Sequence, residues 1–131
     1  MRNAAFEPIP TEQCWELLKT VSIGRLALCV RALPAILPVQ YYLDGDGIAA
    51  CLGFFDVPHQ AVANTVVAFA ADHFDEAART GWSVQAQGTV RPEHQAAEAA
   101  CDDPATGTIV RVTPATMSGY HIRLCPLLDA N

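Results

Sequence analysis

Between Val21 and Leu43 the chain reads VSIGRLALCVRALPAILPVQYYL, and no other stretch limits the fold as much. Two apolar segments, 25–30 and 35–42, flank a bend at Ala32-Leu33-Pro34, which predicts a pair of adjacent strands. Pro34 and Pro38 have no N–H, so the second strand cannot carry an ordinary ladder along its whole length. A strand with such gaps lies at a sheet edge, at a bulge, or beside a ligand.

The flanking segments extend this pattern. Residues 1–9 read as a loose arm. Thr11 is a suitable N-cap, and Cys14, Leu17, Leu18 and Val21 share one helical face, with Lys19 in the last turn. Asp44-Gly45-Asp46-Gly47 is a hairpin turn, followed by a third strand over 48–52. A loop over 53–58 and a short helix over 58–64 follow, then a buried strand over 65–71 and a charged surface loop over 72–80. From Gly81 to Val90, apolar Trp82, Val84, Ala86 and Val90 alternate with Ser83, Gln85, Gln87 and Thr89, the period of a strand with one dry face. Gly88 marks a bulge or a close backbone approach. A helix over 93–101, a turn over 102–107 and two last strands, 108–113 and 120–124, complete the reading, with a frayed tail after Pro126. Short strands in consecutive runs, with helices at the margins, predict a single mainly β domain, an antiparallel barrel rather than a βαβ fold.

Composition removes several functions. The net charge is −6, and Lys19 is the single lysine among eight Lys and Arg, too few and too scattered for a nucleic-acid or anionic-membrane surface. Five cysteines without a CxxC pair argue against a disulfide framework or zinc site, and Cys29 and Cys51 read as small buried hydrophobes. His59, His73, His94 and His121 lack metal-ligand spacing, so no metal is expected. The absence of an apolar leader and of a membrane-length apolar run fits a cytoplasmic protein. No hydrolytic constellation and no phosphate-binding loop is visible. Arg25 reads as one half of a structural ion pair, with a cofactor contact as the alternative. Trp82 is core, interface or cofactor stack, and Gln40 and Gln87 line a polar cavity or face water.

The order of IGRLAL, LPAILPVQYYLDGDGI, VVAFAADHFDEAARTGWSVQAQGTV and VRVTPATMSGYHI resembles the pyridoxamine 5′-phosphate oxidase-like family, the flavin-nucleotide-binding split β-barrels. The likeness covers roughly residues 10–123 and is most specific at Gly24-Arg25-Leu26, Pro38-Val39 and Thr80-Gly81-Trp82-Ser83-Val84. It implies a homodimer holding a small planar ligand at its interface, with a flavin ring against Pro38, Val39 and Gln40. It also implies a phosphate held at the end of the third strand, where Cys51 and Leu52 stand, and in the following loop, where His59 is the one candidate cation. Trp82 and Ser83 of the GWS motif come close to such a site, often from the partner subunit. Relatives place Arg-Thr or Arg-Ser at the positions of Cys51 and Leu52, and arginines near Tyr120 and His121. Two readings follow. In one, the chain keeps the flavin-binding fold with a degenerate phosphate site. In the other, it is an active oxidoreductase using FMN or a deazaflavin (coenzyme F420), with haem a further planar alternative. No catalytic acid or base is legible.

Overall fold

The computed structural model describes residues 5–52, 64–92 and 109–125. Strand β1 (Phe6–Pro8) precedes helix α1 (Thr11–Leu18), and six further strands follow: β2 (Ile23–Val30), β3 (Leu33–Asp44), β4 (Gly47–Cys51), β5 (Val66–Asp75), β6 (Thr80–Pro92) and β7 (Ile109–Arg123). All described pairings are antiparallel. The order β1-β7-β4-β3-β2-β5-β6 closes on itself through β6 and β7, making the expected barrel with β1 added at the rim. The arm expected over residues 1–9 is therefore partly a strand: Phe6–Pro8 lies against Tyr120–Ile122.

The opening hairpin turns one residue earlier than its prolines suggest. Arg31 and Ala32 form the turn at φ 54° and 68°, and Val30 pairs with Leu33. Two successive left-handed residues match the right-handed twist of the strands they join, so this two-residue turn forms without glycine. The Tyr41 N–H donates to the Ser22 carbonyl at 3.0 Å, which sets the phase of the β2–β3 ladder. Amide direction alternates along a strand, so Pro34 and Pro38 oppose Cys29 and Arg25 at positions where β2 requires no N–H. Their missing donors face the side of β3 where described pairing with β4 begins only at Gln40. The prolines thus cost β2–β3 nothing and leave the other edge open at Pro38.

Two expected loops are strand. The charged stretch 72–80 continues β5 to Asp75, turns over 76–79 and starts β6 at Thr80, with the Asp75 carboxylate accepting from the Ala78 N–H at 3.1 Å. The connection expected over 114–119 is also absorbed, because β7 runs unbroken from Ile109 to Arg123. Pro114 is accommodated at a register shift opposite Gln87 and Gly88, where a proline can sit without breaking the ladder. Gly88 is required there: a Cβ would lie 2.0 Å from the Thr113 carbonyl oxygen. The helices expected over 58–64 and 93–101 and the tail lie outside the described residues, apart from Asn64, which follows as a left-handed turn residue at φ 63°.

Phe69, Leu26, Ile48, Leu52, Val84 and Val112 fill the barrel, and α1 covers one end with Cys14 and Leu18. Helix α1 starts after Pro10 without a side-chain cap, and Lys19 follows its last turn, so neither Thr11 nor Lys19 takes its expected place. Tyr41 joins helix to barrel. Its ring meets Phe69 edge-on at 4.8 Å, and its hydroxyl donates to the Leu18 carbonyl at 2.6 Å. Arg111 on β7 ties down the β3–β4 turn through Asp44 at 2.9 Å and Asp46 at 3.1 Å. Cys29 is exposed, and Cys51 is half-buried and disulfide-bonded, so neither is the buried free thiol that its apolar strand suggested.

Burial pushes the Tyr41 phenol from 10.0 up to about 12. The folded chain therefore holds this proton more tightly than the unfolded chain. The associated stability is complete below pH 10 and is lost as pH rises through about 12. Tyr41→Phe should cost about 1–3 kcal/mol at neutral pH, because the buried Leu18 carbonyl loses its donor. It should also flatten the alkaline decline, as measured by urea unfolding across pH 8–12.

Candidate functional site

Where the β3–β4 edge opens, Ile23, Pro38, Val39, Gln40 and Cys51 line a groove of about 140 Å³. The ladder explains their convergence: Gln40 stands between Ile23 on β2 and Cys51 on β4. Pro38 and Gln40 are exposed, whereas the Val39 side chain enters the core and only its backbone is available to a ligand. One wall is apolar and flat, and the Gln40 amide adds a donor and an acceptor. That surface suits one face of a planar heteroaromatic ring. Its volume is below the roughly 300–1,000 Å³ of sites that enclose such ligands.

The other expected site residues fall elsewhere. Leu52 is 1% exposed and belongs to the core, so its side chain is not available to a ligand in the groove. His59 lies outside the described residues. Trp82 and Ser83 are consecutive on β6 and project to opposite faces. Trp82 lines a second concavity of about 430 Å³ with Glu7, His73, Thr80, His121 and Arg123. Its floor is a cross-strand row in which Glu7 opposes His121, His121 opposes Trp82, and Trp82 opposes His73. Ser83 shares the outer face with Tyr120, its partner across β7. The expected set is thus divided between a groove, the core, a concavity and the outer wall. The role of Ile23 could have been counted from the hairpin register, whereas the Glu7 row depends on pairing between the two ends of the chain.

Arg25 is exposed and forms no ion pair or side-chain hydrogen bond with a described residue, so the structural pair expected for it is absent. Among the described residues no three His, Cys, Asp or Glu are placed to hold a metal ion, and no helix is long and apolar enough to cross a membrane.

The family description of pyridoxamine 5′-phosphate oxidase matches residues 10–121. An uncharacterized protein of Mycobacterium tuberculosis is 33% identical over 124 residues, spanning 85% of this chain and 82% of that protein. Among solved structures, an FAD binding protein from Mycobacterium smegmatis is 28% identical with a TM-score of 0.69, covering 91% of this chain and 100% of that one. An FAD-binding protein from Mesorhizobium loti has a TM-score of 0.69 at 18% identity, covering 88% and 96%, a likeness of fold alone.

The buried position of Leu52 has a measurable consequence. Leu52→Thr should lose about 2–4 kcal/mol of stability in denaturant unfolding, because a cavity and a hydroxyl are placed in the core. It should leave affinity for phosphorylated ligands unchanged, as titration calorimetry on the folded variant would report.

Proposed function

This chain belongs to the pyridoxamine 5′-phosphate oxidase family, and from that premise we propose that it is a homodimeric flavin-binding protein whose phosphate site has lost the family's usual grip. The observation that carries the reading is the open edge of β3. Pro38 and Ile23 present a flat apolar wall beside the Gln40 amide, suited to the faces and the polar rim of an isoalloxazine. The relatives described as FAD-binding support a flavin as the occupant. The end of β4 does not fit the phosphate: Leu52 is buried, Cys51 is disulfide-bonded, and neither offers a positive charge. A flavin held here would supply the redox chemistry, while the chain supplies the wall, the amide and the exclusion of water.

A groove of about 140 Å³ encloses a flavin only when a second surface closes over it. The outer face of β3, β2 and β5 is suited to a second copy. Ile36, Ala27 and Ala68 form one cross-strand row, and Ile23 and Val66 frame it. Ile23 is 57% exposed, Ile36 67% and Val66 74%, exposed aliphatic groups on a face where Arg25 stands between Ile23 and the Ile36 row. Small alanines between larger aliphatic groups leave room for the partner's side chains to interdigitate. In this reading the ligand lies at the margin of that contact.

Purified protein should run as a dimer by light scattering, and Ile36→Glu with Val66→Glu should make it a monomer; a monomeric native chain would refute the dimer. Titration with FMN, FAD or riboflavin should give a bound flavin, with its absorbance band near about 450 nm perturbed. Gln40→Ala should weaken binding about three- to tenfold, the loss of one or two neutral hydrogen bonds. A chain that binds none of these flavins, but takes up a deazaflavin or haem, would replace the flavin with another planar cofactor.

A further inference from the structure

We infer that Arg25 is the phosphate-binding residue of this chain, holding a ligand phosphate from the β2 side of the groove instead of from the end of β4. The inference rests on the flavin reading above and assigns one residue within it.

The geometry begins with register. Arg25 opposes Pro38 directly, and Ile23, two residues earlier on the same strand, opposes Gln40. The ladder phase set by the Tyr41 to Ser22 bond makes both of these non-hydrogen-bonded pairs, in which facing side chains approach most closely, with Cα atoms about 4.5 Å apart. Residues two apart on a strand share a face and are separated by about 7 Å. Gly24 and Leu26 turn into the core, so Ile23 and Arg25 turn outward together. The Arg25 stem therefore rises from the barrel wall directly opposite Pro38, which lines the groove, although Arg25 itself is not part of the groove lining.

Its surroundings leave that charge unspent. Across the wall, the row through Arg25 continues to Ala70, Gln85 and Ser118. The neighbouring row runs through Ile36, Ala27, Ala68, Gln87 and Thr116. None of these residues is a carboxylate. Asp72 projects from the same face of β5, two residues from Ala70, but no ion pair joins it to Arg25. Of the other described arginines, Arg111 holds Asp44 and Asp46 and Arg79 holds the Cys125 carbonyl; Arg31, Arg91 and Arg123 also form no ion pair, but only Arg25 faces Pro38 in the ladder.

An uncompensated guanidinium on a face that a second copy covers would be costly, because removing it from water requires an anion in return. A ligand phosphate supplies that anion, and the planar fork of arginine suits it in a bidentate arrangement. With no cation at Cys51 and Leu52, the guanidinium of Arg25 is the positive charge that stands beside Pro38 among the described residues.

The test compares riboflavin with FMN, which differ by the phosphate alone, on the full chain. Binding is read by calorimetry or flavin fluorescence for the native protein, Arg25→Gln and Arg25→Lys. FMN should bind the native chain tenfold or more tightly than riboflavin, a preference that falls as salt rises. Arg25→Gln should abolish the preference while leaving riboflavin affinity within about twofold, and Arg25→Lys should restore part of it. Riboflavin binding with no FMN preference, or an FMN preference that survives Arg25→Gln, overturns the role of Arg25 and leaves the flavin site standing. Failure of both riboflavin and FMN to bind the native chain overturns this inference, and failure of FAD to bind as well overturns the flavin reading with it. Retention of the dimer by Arg25→Gln, checked by light scattering, keeps an altered interface from imitating the expected loss.

Discussion

The phase of the β2–β3 ladder is the constraint on which both barrel and site depend. The backbone bond from the Tyr41 N–H to the Ser22 carbonyl shows which residues of β3 donate toward β2 and which donate away from it. With that phase, Pro34 and Pro38 occupy positions where β2 asks for no donor. A shift of one residue would place both prolines at hydrogen-bonded positions. It would also turn Val39 and Tyr41 out of the core and bring Pro38 and Gln40 into it. The two-residue turn at Arg31 and Ala32 and the burial of Tyr41 against Phe69 enforce the same register from either end of the hairpin.

The same phase produces the groove. Proline is usually confined to strand edges because it leaves a gap in the ladder. Here the gap faces the β4 side and lies next to the last described residues of that strand. The surface that remains is flat, apolar and bordered by one amide. In the flavin reading proposed above, the prolines that would weaken an ordinary sheet are the residues that leave room for a planar ring. The charge follows a comparable pattern. The end of β4 provides a buried leucine and a disulfide-bonded cysteine, while β2, on the other side of β3, exposes an arginine with no ion-pair partner among the described residues.

Several elements are legible in the sequence alone. The DGDG turn, the α1 face carrying Cys14 and Leu18, the alternation of β6 and the family likeness all rest on local pattern, and local pattern is what periodicity reports. The two missed strand segments show where it stops. Residues 72–75 and 114–119 are polar or carry a proline, yet β5, β6 and β7 pair through them because each has a partner strand already in register. Partner strands supply hydrogen bonds whatever the side chains prefer, so tertiary context overrode propensity.

By itself the sequence determined a barrel-forming set of short strands, its place in the family, and the absence of Lys and Arg between Arg31 and Arg79. Each of these is a property of residues near one another along the chain. Only the tertiary structure decided that Leu52 is core, that Trp82 and Ser83 face opposite ways, and that Arg25 stands opposite Pro38 with no ion pair among the described residues. Those facts depend on which strands meet and in what phase. That is settled by hydrogen bonds between distant segments and by burial inside a closed barrel.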